Sequence, residues 1–332
     1  MINKARNHHY IAQVEQRLNA INPDILKEKQ KIYSFSVVDR EKYEISLNHT
    51  NGIKIKDNLS DDDLFSFDVV DDSFRMNLED AFGKYERSVG HFTESLLQKI
   101  NNNNLDLTEE ILSIFALKVL NTFRNPYCIK KTLNTIGELA FYQPAEKELQ
   151  AIYKKIDDGI APHKETIASK YSVSVEEYTQ WIKSLFMLLI PSINQDMNAL
   201  EIITKSFFEN TDSFITVCVS IYNDEHSDKH VVLSDRGFSV LSNDDVNTSY
   251  EFNLTSNAFI TYVFTDIRKI MASKNIDEKQ IELILASRES TKSKIEIDVK
   301  YNDLEILSRY NRNAIYQSFD TVYCKSNQVY TL

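Results

Sequence analysis

The chain has 332 residues, 42% hydrophobic and 26% charged, with a net charge of -11 and a pI near 5.2. That acidity excludes a broad, sequence-independent grip on nucleic acid, which needs excess Lys and Arg to displace counterions, and leaves room only for a local groove. Cys128, Cys218 and Cys324 are odd in number and far apart, which excludes a disulfide framework or a zinc knuckle and fits a reducing compartment.

The opening MINKARNHHY has no apolar segment, so no secretory signal is expected. Ile11, Val14, Leu18 and Ile21 mark one face of a helix over Tyr10 to Ile21, stopped by Asn22-Pro23, with His9 and Gln13 sharing another face. The apolar run from Lys31 to Val38, the turn Asp39-Arg40-Glu41 and the return over Tyr43 to Leu47 predict a β-hairpin. The stretch Asn48 to Asp72, rich in Asn and Asp, reads as mostly loop, and its run Asp61-Asp62-Asp63 as a solvated tip or helix start.

Leu78, Phe82, Tyr85, Val89, Phe92 and Leu96 predict a helix over Met76 to Ile100. Beside that stripe run Glu79, Gly83, Glu86 and Gly90, so two carboxylates alternate with two residues that lack a side chain. Each glycine costs a helix interior about 1 kcal/mol relative to alanine, so close approach of another group is expected here. Thr108 with Glu109 and Glu110 starts the next helix, apolar on nearly all sides, which stops at Arg124-Asn125-Pro126. Helical patterns continue over Ile129 to Phe141, Ala145 to Ile156 and Pro162 to Tyr171, then from the Ser174/Glu177 capping box to Ile190, and over Asn194 to Phe208. The longest apolar run, Leu185 to Ile190, is far below the roughly 20 residues of a membrane span, so a cytoplasmic protein with no membrane segment is expected.

At Ser213 the hydrophobic period changes from 3.6 to 2. Strands are predicted over Phe214 to Tyr222, His230 to Leu233, Phe238 to Leu241, Tyr250 to Leu254 and Ile260 to Phe264. Asp277 to Arg288 is again helical, Ile295 to Val299 is a strand, and Leu304 to Tyr323 reads as a closing helix. The fold class is α+β, a mainly helical middle with an N-terminal β-hairpin and a C-terminal antiparallel sheet. It is taken as one domain over 1–332, with a helical lobe at about 76–210 and a sheet part at about 211–332. Whether the hairpin joins the C-terminal sheet is left open.

No phosphate loop, HExxH, CxxC, GxSxG or EF-hand pattern occurs. The candidate site is a set of polar residues where the pattern expects apolar ones or breaks: His9, Gln13, Glu79, Glu86, Arg124, Asp235 and Asn311. Each has a structural reading as well. His9 and Gln13 brace the first helix, Arg124 neutralises Glu79 or Glu86 in a buried ion pair, and Asp235 satisfies amides of its own turn with Asn311 bracing that turn.

In order and spacing, His9-Tyr10-Ile11-Ala12-Gln13, Leu78-Glu79 with Glu86, Phe123-Arg124-Asn125-Pro126, Leu233-Ser234-Asp235 and Tyr310-Asn311 span nearly the whole chain. Together they resemble the bacterial domain-of-unknown-function family 4238, which opens on an HYVPQ motif. Ala12 stands where that motif has proline, and Arg236-Gly237 departs from its Ser-Asp-x-Pro turn. The resemblance implies a bacterial source and supports the residue set, without a reaction.

If the set converges, the reading with most chemical content is hydrolysis of a phosphodiester or related polar substrate. Glu79, Glu86 and Asp235 would hold a divalent metal, Mg²⁺ or Mn²⁺ by their oxygen donors. His9 would act as general base or acid, and Arg124 would bind a phosphate oxygen. A stand-alone bacterial protein of this kind fits an effector of phage defence or a toxin that attacks nucleic acid. The rival reading is a docking module for a partner protein or a second copy, with the polar set as an internal brace.

Overall fold

The change of period at Ser213 builds a five-stranded sheet in the computed structural model, which describes residues 1–71, 74–104, 106–191, 197–291 and 295–331. Its strands lie side by side in the order Ser239–Asn243, Asn247–Thr255, Ala258–Asp266, Ser213–Ile221 and Glu296–Tyr301. The first four are antiparallel neighbours, and the last pairs in parallel with Ser213–Ile221. A parallel neighbour needs a crossover, and the helices Ile267–Ser273 and Glu278–Thr291 precede that last strand in the chain.

The chain divides into two compact units. Unit 1 comprises Met1–Val14, Asp57–Phe92 and Ser113–Ile203, and unit 2 comprises Glu15–Lys56, Thr93–Leu112 and Thr204–Leu332. Neither is continuous in sequence, because the helices Glu79–Asn101 and Thr108–Arg124 each contribute residues to both. The division therefore does not follow a linear cut near residue 210.

Unit 2 answers the question about the hairpin. Lys31–Asp39 and Glu44–Leu47 pair antiparallel, with Phe35 opposite Leu47. Lys31–Asp39 also pairs with Thr321–Cys324, which pairs in turn with Leu233–Ser234. The closing helix is accordingly shorter than its pattern predicts. It runs Leu304–Gln317, and the remaining apolar residues form a strand that their distant partner dictates. Phe35, Tyr222, Val231, Phe259, Tyr310, Ile315 and Val322 make the core beneath this second sheet.

Four other expectations change. The first helix is only Gln13–Arg17, because the amide of Tyr10 bonds the carbonyl of Leu59 and Asn7–His9 pairs as a strand with Ser60–Asp62. The stretch over 48–71 carries short strands at Ile53–Lys54, Ser60–Asp62 and Ser66–Val69, held by tertiary pairing that local composition hides. Ile129 to Phe141 splits into a helix, Ile129–Ile136, and a 3-10 segment, Gly137–Phe141. The helix predicted from Asn194 is observed over Ala199–Glu209, and 192–196 lie outside the described residues.

The Ser174 capping box is present in both directions, and its helix, Val175–Leu189, buries Tyr178, Trp181, Leu185 and Phe186 in unit 1. Phe65 meets Phe82 edge-on at 4.8 Å and Trp181 at 5.7 Å. Among the described residues no helix is long and apolar enough to cross a membrane.

Candidate functional site

In unit 1 the Glu79–Asn101 helix begins where the Asn77 side chain accepts the amide of Glu79 at 3.1 Å. Leu78, Phe82, Tyr85, Val89 and Leu96 are buried as the pattern requires, and Phe92 is half-buried. Glu79 and Glu86 follow on the adjoining face, seven residues apart and so about 10 Å along the axis.

The two glycines of that face differ. A Cβ on Gly90 would lie 3.0 Å from Cγ2 of Val14, so this notch is filled by the N-terminal segment. At Gly83 a Cβ would meet only the Arg87 guanidinium, at 3.2 Å, among the described residues within 4 Å.

Arg124 enters from the end of the Thr108–Arg124 helix, in which no residue from Glu110 onward is exposed. The corner behind it is fixed. The Trp181 indole donates to the carbonyl of Phe123 at 2.8 Å, the Thr132 hydroxyl donates to the same carbonyl at 3.2 Å, and the Asn125 side chain accepts the amide of Tyr127. The guanidinium is fully buried, 5.1 Å from the Phe82 ring centroid, and Nη1 donates to Oε1 of Glu86 at 2.5 Å. Its Nε and Nη2 are buried without a hydrogen-bond partner among the described residues. Such burial makes Arg124 a positioning residue that holds Glu86, and its charge is not presented to a phosphate.

Oε1 of Glu79 is likewise buried without a hydrogen-bond partner among the described residues. Burial pushes this carboxyl up to about 7; the Arg124 charge pulls the other way, and the Glu86 and Asp80 charges add to the rise. The cluster thus contains a carboxyl group that changes charge near neutrality beside a carboxylate held in an ion pair.

His9 and Gln13 lie on a segment whose flanking residues pack near Glu86 and Arg124. Nε2 of Gln13 stands 3.4 Å from Nδ1 of His9. Tyr10, next to His9, packs edge-on against Tyr127, three residues past Arg124, at 5.8 Å. Val14, next to Gln13, fills the Gly90 notch one turn beyond Glu86. Tyr10 and Val14 therefore pack the His9–Val14 segment against the 3-10 turn that follows Arg124 and against the helix that carries Glu86.

Asp235 and Asn311 lie in unit 2, and each is fully engaged there. The Asp235 carboxylate accepts the amides of Phe319, Asp320 and Thr321 at 2.7–2.9 Å. These amides belong to the approach and start of the Thr321–Cys324 strand, not to the turn of Asp235 itself as expected. Burial pushes Asp235 above the ordinary range while the three amides pull it down. The Asn311 side chain accepts the amide of Val232 and donates to the carbonyls of His230 and Tyr330. Among the described residues no group of three or more His, Cys, Asp or Glu is arranged to hold a metal ion.

The acidic run is a correction too. Asp61 takes both Lys170 and the Tyr171 phenol, and Asp63 is buried, accepting from Arg75 at 3.0 Å and from Ser66 at 2.9 Å. Beside it, His8 accepts the amide of Phe65 at Nδ1 (2.9 Å), so Nε2 carries the proton toward the carbonyl of Ala5 at 3.0 Å. Burial lowers His8 to about 4, and this neutral tautomer is a structural tie. The adjacent histidines of the motif show in sequence, but only the pairing with Asp61 and Ser60 separates their roles. No family model, curated protein or solved structure matches the chain.

Proposed function

We propose that unit 1 carries a hydrolytic centre for a phosphodiester or a related polar substrate, with Glu79 as proton donor. The observation that supports it most is the Glu79 carboxyl group, whose buried, unpartnered oxygen and pKa near 7 suit an acid that holds its proton at neutral pH. Gly83 leaves no Cβ on the helix between Glu79 and Glu86, where the substrate would lie. In this reading water attacks phosphorus and gives its proton to His9, the P–O bond to the leaving oxygen breaks, and Glu79 protonates that oxygen. Arg124 acts through Glu86, keeping the second carboxylate in place. If Mg²⁺ or Mn²⁺ takes part, Glu86 would be the protein donor that holds it, and Glu79 would keep its role as the acid. Such a centre in a stand-alone bacterial protein would suit a cytoplasmic nuclease-type effector of phage defence or a toxin.

The test is cleavage of single-stranded DNA and RNA oligonucleotides and of bis(p-nitrophenyl) phosphate by the full chain, with Mg²⁺, Mn²⁺ or EDTA. Cleavage is expected to fall about 100-fold or more in Glu79→Gln while its melting transition is retained. EDTA decides whether a metal is needed. Absence of cleavage under all three conditions, or equal rates in Glu79→Gln, overturns the proposal.

One observation favours docking as a second reading. Phe141 and Tyr142 stand side by side at the end of the Gly137–Phe141 segment, 78% and 61% exposed. In that reading the two rings meet a second copy of the chain. Sedimentation equilibrium of the Phe141→Ser/Tyr142→Ser double variant then shows monomer where the parent shows dimer.

A further inference from the structure

A second polar constellation lies in unit 2, along the outer face of the Leu304–Gln317 helix. A groove of about 1020 Å³ is lined by Glu41 and Tyr43 of the hairpin turn and, on the helix, by Glu305, Arg309, Arg312, Asn313 and Tyr316 among others. The hairpin is fixed over the end of this helix, because the Arg40 guanidinium donates to the carbonyls of Tyr316, Ser318 and Phe319.

The wall of the groove is anchored from below. Glu251 of the Asn247–Thr255 strand is fully buried, and it accepts from Arg309 at 3.1 Å, Asn313 at 3.2 Å and Ser239 at 3.3 Å. A buried carboxylate of this kind fixes the reach of Arg309 and Asn313 while about half of the Arg309 side chain stays exposed. Arg312, one turn on, has a different situation. It lies over the Tyr43 ring at 5.4 Å, and among the described residues it forms no ion pair and its Nε has no hydrogen-bond partner. A planar cation stacked on a ring and lacking a counter-charge is suited to take a phosphate oxygen from a ligand. Tyr316, about one turn further and 43% exposed, offers a face for a flat ring.

We propose that this groove binds a nucleoside phosphate, its phosphate on Arg309 and Arg312 and its base against Tyr316. The carboxylates of Glu41, Asp303 and Glu305 on the same lining weigh against a polyanion such as nucleic acid. They suit a small ligand whose single anionic group meets the arginines while its hydroxyl and amino donors face the acids. The groove volume is ample for such a ligand. This site is independent of the hydrolytic centre proposed for unit 1.

The test is isothermal titration of the full chain with AMP, GMP, CMP and UMP, and with adenosine and inorganic phosphate alone. At least one nucleotide is expected to bind saturably, with the nucleoside and phosphate each about tenfold weaker or more. Arg312→Gln and Tyr316→Ala each lower that affinity about tenfold, with the melting transition unchanged in the exposed Tyr316→Ala variant. Absence of saturable heat with all four nucleotides at millimolar concentration overturns the proposal, as does unchanged affinity in both variants. Phosphate alone binding as tightly as the nucleotides overturns the assignment of the ring.

Discussion

Asp235 and Asn311 in unit 2 and Glu79 and Arg124 in unit 1 all place polar atoms in buried helical or sheet surroundings, yet their bonding differs. The Asp235 carboxylate has three amide donors, and the Asn311 amide uses both its oxygen and its nitrogen on backbone. Glu79 and Arg124 leave three buried polar atoms without a hydrogen-bond partner among the described residues. A buried polar group with all its bonds made costs little and fixes a unique arrangement. One with bonds unmade keeps a desolvation cost of about 1–3 kcal/mol, of the kind that folded chains tolerate mainly where a site needs it. The contrast separates a brace from a site more sharply than residue type does.

The largest effect that tests this contrast is at Asp235. Asp235→Ala strands three amides and is expected to lower unfolding free energy by about 3–5 kcal/mol in chemical denaturation, with Asn311→Ala costing about 2–3 kcal/mol. A loss below about 1 kcal/mol in both variants breaks the brace half of the comparison.

Glu79→Gln is expected to behave oppositely, and its effect depends on pH. The folded carboxyl titrates at about 7 against an ordinary value of 4.5. Its stabilising contribution is therefore full below pH 4.5 and is lost as pH rises through 7. Glutamine, which stays neutral, should leave stability unchanged at pH 4 and raise it by roughly 2 kcal/mol at pH 8, read from urea midpoints.

Much of the scaffold behind this contrast was legible. The Thr108–Arg124 helix announces itself by a threonine and two acids in its first turn and a run of apolar residues closed by Asn125-Pro126, and the Val175–Leu189 helix by its Ser174 capping box. The strands after Ser213 show because both faces of a strand leave a period of 2. The strand Thr321–Cys324 did not show, since Leu304 to Tyr323 keeps a helical apolar spacing and only pairing with Lys31–Asp39, far away in sequence, decides its end. Of the candidate site, Glu79, Glu86 and Arg124 were visible as breaks in an apolar pattern. That Asp235 serves amides more than 80 residues later was not, because a single Asp after a strand looks the same whether it caps its own turn or a distant one.

The glycines give the smallest and cleanest refinement. Gly90→Ala pushes a methyl group against Val14 and should cost about 1 kcal/mol, measured by thermal melting. Gly83→Ala meets only the tip of a flexible arginine and should gain about 0.5 kcal/mol from helix propensity, while cleavage by the proposed centre falls. A stabilised and equally active Gly83→Ala protein would remove the substrate path from between the two carboxylates.

The most direct measurement is a ¹³C-carboxyl NMR titration of glutamate-labelled protein, with Glu79→Gln assigning the resonance. The account predicts a carboxyl that titrates near pH 7 and vanishes in the variant. A Glu79 resonance that titrates at the ordinary value of 4.5 would contradict it.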